Sequence, residues 1–203
     1  MVFEFERQLL DFLGESISTE DETVGFRYFD GRDLLGFVDG TANPDAQDLN
    51  KTVCISAEDD PAAAGGCYIV VQKYVHDMGS WAKLSTEEQQ NVIGRAKFDN
   101  IELSDAPASQ QKAHKTLATV VNKYGEECEI LRDNMPFGNP GQRVFGTYFI
   151  GYCKDLWVIE KMLERMFIGD PPGKYDKILD YSKAVTGAIF YAPPARVLQL
   201  LDN

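Results

Sequence analysis

The chain has 203 residues, of which 44% are hydrophobic and 26% are charged, as is typical of a globular protein with one large domain or two small ones. Its 32 acidic and 20 basic residues give a formal net charge of −12, which disfavours binding to nucleic-acid phosphates or anionic lipid surfaces. No apolar stretch approaches the roughly 20 residues that a transmembrane helix needs.

The N-terminus mixes charged and aromatic residues and lacks a basic region followed by an apolar one, so we expect no secretory signal. The four cysteines form no Cys-x-x-Cys pair, which argues against zinc ribbons and thioredoxin-type redox sites; they are Cys54, Cys67, Cys128 and Cys153. We therefore expect reduced cysteines and a cytoplasmic location. Residues 201–203 directly follow the last predicted helix, so we expect no C-terminal targeting tail.

In the first half of the chain, apolar residues at helical spacing predict a helix within 3–13, followed by an acidic segment. We expect residues 1–24 to form a helical lead and linker, and residues 25–203 to form one domain. Glycine, proline, asparagine and aspartate predict a loop over 39–50, and β-branched and aromatic residues predict a strand over 66–75. Ser85 and Glu88 have the spacing of a capping box, which predicts a helix that Gly94 closes.

The second half is predicted to be irregular over 99–113 and then to form a strand pair. Its strands are expected at 116–122 and 127–131, with a turn at 123–125. A further strand (144–153), an amphipathic helix (156–166), a shorter helix (175–181), a strand (184–191) and a terminal helix starting at the prolines 193–194 complete the order. Strands and helices without strict alternation predict an α+β fold with an antiparallel sheet.

The chain contains only two histidines, so any chemistry that depends on imidazole must use His76 or His114. His76 ends a predicted strand, and its structural interpretation is a histidine hydrogen-bonded to a neighbouring carboxylate. His114 ends the irregular stretch just before a predicted strand, where it is either a surface residue or a ligand. Neither has a histidine or cysteine at the spacing of a zinc site. A single histidine can still hold a haem iron as its only protein ligand.

Two other segments place polar side chains in patterns that suit a binding site. Asp39 lies between glycines in the sequence GFVDG, where it either stabilises a turn or faces a ligand that approaches the backbone closely. Arg132 and Asn134 occupy alternate positions of a predicted extended segment and therefore share one face. Each pattern is common by itself, so both interpretations remain open at this point.

Several consecutive segments, taken in order and spacing, resemble the dye-decolorising peroxidase family, most closely its bacterial B-type branch. The segments are GFRYFDGRD (25–33), GFVDG (36–40), VVQKYVHDMGSW (70–81), STEEQQNVIGR (85–95), AHKT (113–116), ILRDNMPFG (130–138) and GTYFIGY (146–152). The resemblance extends from about residue 24 onward. It implies a ferredoxin-like antiparallel sheet with peripheral helices and a non-covalently bound haem b.

The resemblance also implies roles for individual residues. His114 matches the axial ligand of the haem iron, and Asp39 matches the distal aspartate of the family. Arg132 matches the distal arginine, which also lies near a haem propionate, and Asn134 matches the polar residue that helps order the distal water. His76 lies within a matching segment, but the resemblance implies no catalytic role for it.

From this resemblance we expect a peroxidase that uses hydrogen peroxide to oxidise dyes, phenolics or other organic reductants, with Asp39 moving a proton and Arg132 stabilising negative charge. Two alternatives are a haem-binding or iron-handling protein with little turnover and a haem-free ferredoxin-like module for assembly. Family members are usually longer and contain two ferredoxin-like halves, and the resemblance covers mainly the C-terminal half. We therefore expect exposed apolar surface and a homo-oligomer, and no nucleic-acid or membrane partner.

Overall fold

A computed structural model describes residues 2–200, and its centre is an antiparallel β-sheet. The strands within that range are β1 Cys67–His76, β2 Val120–Val121, β3 Glu127–Cys128, β4 Leu131–Asn139, β5 Val144–Cys153 and β6 Ser182–Ala192. The main sheet has the order β4-β5-β1-β6, and β2 and β3 form a separate small ribbon. All pairs are antiparallel, as predicted.

Short helices flank this sheet. They are α1 Val2–Leu13, α2 Leu49–Val53, α3 Met78–Trp81, α4 Thr86–Ile93, α5 His114–Leu117, α6 Leu156–Phe167 and α7 Ala195–Gln199, with 3-10 turns at Gly14–Ser16 and Lys177–Asp180. The predicted N-terminal helix is confirmed as α1, although none of its residues is buried. None of the helices between residues 2 and 200 has both the length and the apolar character needed to cross a membrane.

The strongest local patterns of the sequence form the expected elements. β5 has the predicted bounds, and β1 differs from its prediction by one residue at each end. Helix α4 begins with the predicted capping box, in which the Ser85 hydroxyl accepts a hydrogen bond from the Glu88 backbone and the Glu88 carboxylate accepts one from the Ser85 backbone. Gly94 closes the helix with a φ of +91°, a conformation that favours glycine.

Two clusters of buried hydrophobic side chains pack the helices and the loop near the predicted site residues against the rest of the chain. The first packs α6 against β1 and β5, and its buried residues are Val70, Val120, Ile130, Cys153, Val158, Ile159 and Met162. The second lies under residues 31–39 and contains Leu35, Phe37, Trp81 and Ile93. The indole of Trp81 also donates a hydrogen bond to the Leu35 carbonyl at 3.0 Å, so this segment is anchored on both apolar and polar contacts.

The predicted strand over 116–122 is wrong in its first half. His114 does not precede a strand directly but begins the short helix α5, and only Val120–Val121 pair as a strand. The cause is a tertiary contact, because the guanidinium of Arg165 on α6 donates hydrogen bonds to the carbonyls of Thr116 and Thr119. These bonds satisfy backbone groups at the end of the helical turn, which outweighs the strand preference of the threonines.

The other differences are smaller. The partner strand predicted over 127–131 is divided into β3 and the start of β4. The helix predicted over 175–181 is a single 3-10 turn, and the short helix α2 was not predicted within the loop region. The terminal helix is confirmed as α7. Residue 1 and residues 201–203 lie outside the described residues. The expectation about a C-terminal tail concerns residues 201–203 and therefore also lies outside them.

Candidate functional site

One large cavity contains all of the residues that the sequence singled out. Its volume is about 860 Å³, within the range of roughly 300–1,000 Å³ that ligand and cofactor pockets occupy. Asp39, His114, Arg132 and Asn134 line it, and so does His76. These residues come from a loop, a short helix and two strands, so only the folded chain brings them together.

Asp39 stands at the end of a tight hairpin over residues 31–39. The backbone of Asp39 donates to the Gly31 carbonyl at 3.0 Å, and the backbone of Asp33 donates to the Phe37 carbonyl at 2.9 Å. The Asp33 carboxylate accepts a hydrogen bond from the Phe37 backbone at 2.8 Å. The chain then turns at Gly40, whose φ of +76° is accessible to glycine at little cost. The hairpin therefore fixes the backbone from which the Asp39 side chain projects.

Arg132 and Asn134 lie two residues apart on β4 and both face the cavity, as their alternation predicts. The side-chain amide of Asn134 donates to one carboxylate oxygen of Asp39 at 2.9 Å. The same oxygen accepts a hydrogen bond from the Gly40 backbone at 2.8 Å. Asp39 is thus held by two donors on one oxygen, and its second oxygen is available to a ligand in the cavity.

The guanidinium of Arg132 carries an unusual feature. Its Nε is buried without a hydrogen-bond partner, which costs free energy unless a ligand satisfies it. Burial lowers the pKa of Arg132, although the negative charges of Asp39 and Glu129 oppose that shift. A buried cationic donor at the wall of a cavity indicates a site for an anionic or strongly polar ligand.

His114 is the first residue of α5 and pairs with a carboxylate behind it. Its Nδ1 lies 2.7 Å from the Oδ2 of Asp176. The Asp176 side chain is fully buried, whereas that of His114 keeps 31% of its exposure. Burial by itself lowers the pKa of His114, but the charge and hydrogen bond of Asp176 outweigh it, so the pKa is raised. Because Nδ1 is engaged by Asp176, Nε2 is the nitrogen that can bind a group in the cavity.

His76 has different hydrogen-bond partners from the carboxylate that its sequence context predicts. The ring is buried, and it bonds to two hydroxyl groups and not to the predicted carboxylate. Its Nδ1 lies 2.7 Å from the Ser182 hydroxyl, and its Nε2 lies 3.0 Å from that of Thr147. Burial lowers the pKa of His76 to about 4. The ring is therefore neutral near neutral pH, and both of its nitrogens are occupied, so it has no free nitrogen for a ligand.

Sequence reasoning missed three residues of this site: Asp33, Asn43 and Asp176. Asp176 follows His114 by 62 positions, and no local pattern links the two. The sequence offers only a local reason for an aspartate at this position: Asp176 starts the 3-10 turn by accepting a hydrogen bond from the Ile178 backbone. Asn43 precedes Pro44, which restricts its backbone to extended conformations.

The Asp33 carboxyl is the clearest source of pH-dependent stability in the cavity. Burial raises its pKa to about 6, and the nearby charge of Asp39 adds to the rise. A carboxyl with a raised pKa binds its proton more tightly in the folded state, so the stability it contributes is present below its ordinary pKa and is lost as pH rises through about 6.

We expect Asp33→Asn to stabilise the chain above that pH. The amide keeps an oxygen that can accept the Phe37 hydrogen bond and carries no charge. At about pH 7.5 the free energy of unfolding should rise by roughly 1–2 kcal/mol, and near pH 4 it should be unchanged. Urea unfolding at both pH values measures this. Equal destabilisation at both would show that the hydrogen bond, and not the charge, dominates.

Known proteins match this chain over most of its length. Residues 30–197 match the family described as "Dyp-type peroxidase, C-terminal". The chain is 51% identical over 191 residues to a protein named dye-decolorizing peroxidase from Mycolicibacterium paratuberculosis, a match that covers 94% of this chain and 53% of that protein.

Two solved structures share the fold. DyPB from Rhodococcus jostii RHA1 superposes with a TM-score of 0.91 and 53% identity, and a DypB variant from the same organism in complex with heme gives 0.90 and 52%. Each match covers 97% of this chain and 63% of the other. The chain therefore spans between 53% and 63% of the length of these relatives. The resemblance read from the sequence and the predicted ferredoxin-like α+β fold are both confirmed.

Proposed function

The chain belongs to the Dyp-type peroxidase family, and we propose that it binds haem b non-covalently and uses hydrogen peroxide to oxidise organic reductants such as dyes and phenolics. The observation that carries this proposal is the content of the cavity. His114, whose Nδ1 is bonded to the buried Asp176, shares the cavity with the carboxylate of Asp39, the amide of Asn134 and the guanidinium of Arg132, whose Nε has no partner.

The residues of the cavity fit haem. A haem iron held by one histidine needs a neutral imidazole whose other nitrogen is hydrogen-bonded, and a carboxylate partner makes that imidazole more basic. His114 and Asp176 provide this pair. The buried, unpartnered Nε of Arg132 fits either a propionate or a peroxide oxygen. His114 would therefore hold the iron, and Arg132 would serve both the cofactor and the substrate.

Haem, when bound, supplies the redox chemistry that reduces peroxide to water at the expense of two electrons from the organic reductant. The residues of the chain manage protons and charge around that chemistry. The free oxygen of Asp39 would take a proton from one peroxide oxygen and return it to the other, which leaves as water. Arg132 would stabilise the negative charge that develops on the departing oxygen.

Asn134 would act on this step by holding Asp39. Its amide donates to the carboxylate oxygen that also accepts from Gly40, so the other oxygen keeps one orientation toward the cavity. Preorganisation of this kind accelerates a reaction because no reorientation is needed at the moment of proton transfer. Asp39, Arg132 and Asn134 are therefore the residues that we propose for the peroxide-handling site.

The test is direct on the purified chain. Titration with haem should give a Soret band at a stoichiometry of about one haem per chain, and peroxide should then drive the oxidation of a phenolic or dye substrate. Haem binding without peroxide consumption would favour the haem-handling alternative. A chain that is colourless once unbound haem has been removed would leave only the assembly module.

We further propose that residues 1–24 form a lead outside the haem-binding domain of residues 25–203, that the location is cytoplasmic and that the chain self-associates. The lead is supported by the absence of buried residues in α1.

The cytoplasmic location is supported by four free cysteines. Self-association is supported by exposed apolar residues on β6, namely Val185, Ile189, Phe190 and Tyr191. Sedimentation velocity on the whole chain tests the last point.

A further inference from the structure

The two groups proposed to act on peroxide are far apart in sequence, and something must fix their separation. Asp39 is the last residue of the 31–39 hairpin, whereas Arg132 belongs to the edge strand β4. Chain connectivity cannot set the distance between them, because 92 residues separate the two positions. The hydrogen bond from Asn134 aligns the Asp39 side chain, but it does not tie the loop backbone to the strand.

Asn43 makes that tie. Its Nδ2 donates to the Arg132 carbonyl at 2.8 Å, and its Oδ1 accepts from the Arg132 backbone N–H at 2.8 Å. A primary amide carries the same donor and acceptor as a peptide group. The Asn43 side chain therefore pairs with β4 as one residue of an added strand would, on the side of β4 that faces away from β5.

The neighbouring residues hold Asn43 in this position. Pro44 is buried, and a following proline restricts the Asn43 backbone to extended conformations. Gly40 makes the turn between Asp39 and this segment with its positive φ. The loop is thus fixed at both ends: by the Asp39 contact with Asn134 and by the paired amide on Arg132.

We propose that Asn43 is a positioning residue that sets the separation between the Asp39 carboxylate and the Arg132 guanidinium by clamping the loop onto β4. This inference rests on the proposed function. The clamp contacts only the backbone of Arg132, so it leaves the guanidinium, with its unpartnered Nε, free for a ligand. Its removal would leave the side chains of both groups in place but loosen their spacing, on which proton transfer and charge stabilisation jointly depend.

Asn43→Ala tests the clamp, and Asn122→Ala is its matched control. Asn122 also bonds backbone groups with its side chain, since its Oδ1 accepts from Tyr124 at 2.9 Å and from Glu126 at 3.1 Å. It lies in the turn between β2 and β3 and does not line the cavity. Asn43→Asp is the intermediate variant, because a carboxylate can still accept from the Arg132 N–H but cannot donate to the Arg132 carbonyl.

Two measurements separate the clamp from the proposed function. Amide hydrogen exchange by NMR on the full chain before haem is added should show the Arg132 N–H exchanging about tenfold faster in Asn43→Ala and unchanged in Asn122→Ala. After haem is added, Asn43→Ala should keep the Soret band and the haem affinity. Its kcat/KM for peroxide should fall about 10- to 100-fold, with Asn43→Asp between it and the unaltered chain.

The outcomes are distinct. Unchanged exchange at Arg132 in Asn43→Ala would overturn the clamp itself. Faster exchange with an unchanged kcat/KM for peroxide would show that the clamp exists but does not position the site, which overturns the proposal. If the unaltered chain binds haem but does not react with peroxide, the proposed function fails and the role of Asn43 in that reaction fails with it, while the exchange result still decides whether the clamp is present.

Discussion

Replacement of His114 by alanine is expected to abolish the Soret band of the haem-loaded chain. The side chain is the only imidazole of the described residues with a ring nitrogen free to bind a group in the cavity, because both nitrogens of His76 are bonded to hydroxyl groups. Loss of a residue that only supports a metal ligand lowers affinity about 10- to 100-fold, so loss of the ligand itself should exceed that. Haem titration by absorbance, with His114→Ala beside the unaltered chain, measures the effect.

Added imidazole distinguishes lost ligation from misfolding. His114→Ala removes the partner of a fully buried carboxylate, which by itself destabilises the chain. If the fold survives, free imidazole can enter the space left by the side chain and restore the band. A band that persists in His114→Ala without imidazole would show that another group holds the haem, and the proposed assignment would be wrong.

Asp176→Asn examines the residue behind the ligand. The amide can still accept a hydrogen bond from Nδ1 but lacks the negative charge that raises the pKa of His114. We expect haem affinity to fall about 10- to 100-fold and the reduction potential of the bound haem to become more positive, because the imidazole becomes a weaker electron donor. A purely structural role for Asp176 would lower stability but leave the potential unchanged.

The sequence predicted those parts of the molecule that local patterns determine. A capping box with a closing glycine determines α4. Apolar residues that recur about every 3.6 positions determine α6, and a run of β-branched and aromatic residues determines β5. The alternation of Arg132 and Asn134 placed both on one face of a strand. In each case the residues that cause the structure lie within about a dozen positions of one another.

The remaining parts depend on contacts between distant segments. Helix α5 is supported from a distant segment, since Arg165, almost fifty positions later, donates hydrogen bonds to the carbonyls of Thr116 and Thr119 at and just beyond the end of the helix. The partner of His114 is Asp176, and the partner of the Arg132 backbone is Asn43. Aspartate and asparagine occur frequently in turns for local reasons, so their types give no sign of these long-range bonds. The family resemblance identified Asp39, His114, Arg132 and Asn134, which line the cavity, but not Asp176 and Asn43, which bond to His114 and to the Arg132 backbone.

Replacement of Arg132 by leucine should strongly slow the reaction of the haem-loaded chain with peroxide. The guanidinium is buried, and its Nε lacks a partner within the protein, so it is already in place as a donor to a charge that develops in the cavity. Removal of one preorganised donor of this kind costs about 10²- to 10³-fold in rate. Stopped-flow mixing of the haem-loaded chain with peroxide measures the rate constant, and Arg143→Leu, in the turn between β4 and β5, is the control.

The same stopped-flow measurement with peroxide tests the proposed role of Asp39 in proton transfer. A general acid–base group contributes about 10²- to 10⁴-fold, so Asp39→Asn should slow the reaction with peroxide and leave haem affinity unchanged. Asp133→Asn on the alternate face of β4 is the matched control. If Arg132→Leu slows the reaction and Asp39→Asn does not, the arginine carries the step and the carboxylate is secondary.

The double variant decides whether the two groups act together. If both groups act in one step, Asp39 would move a proton onto the oxygen whose negative charge Arg132 stabilises, so removal of either group would reduce the effect of the other. The combined loss in Asp39→Asn/Arg132→Leu should then be smaller than the product of the two single losses. Multiplicative losses would mean that the groups act in separate steps. We expect coupling because both side chains line one cavity, and because Asn134, two residues from Arg132 on β4, holds the Asp39 carboxylate.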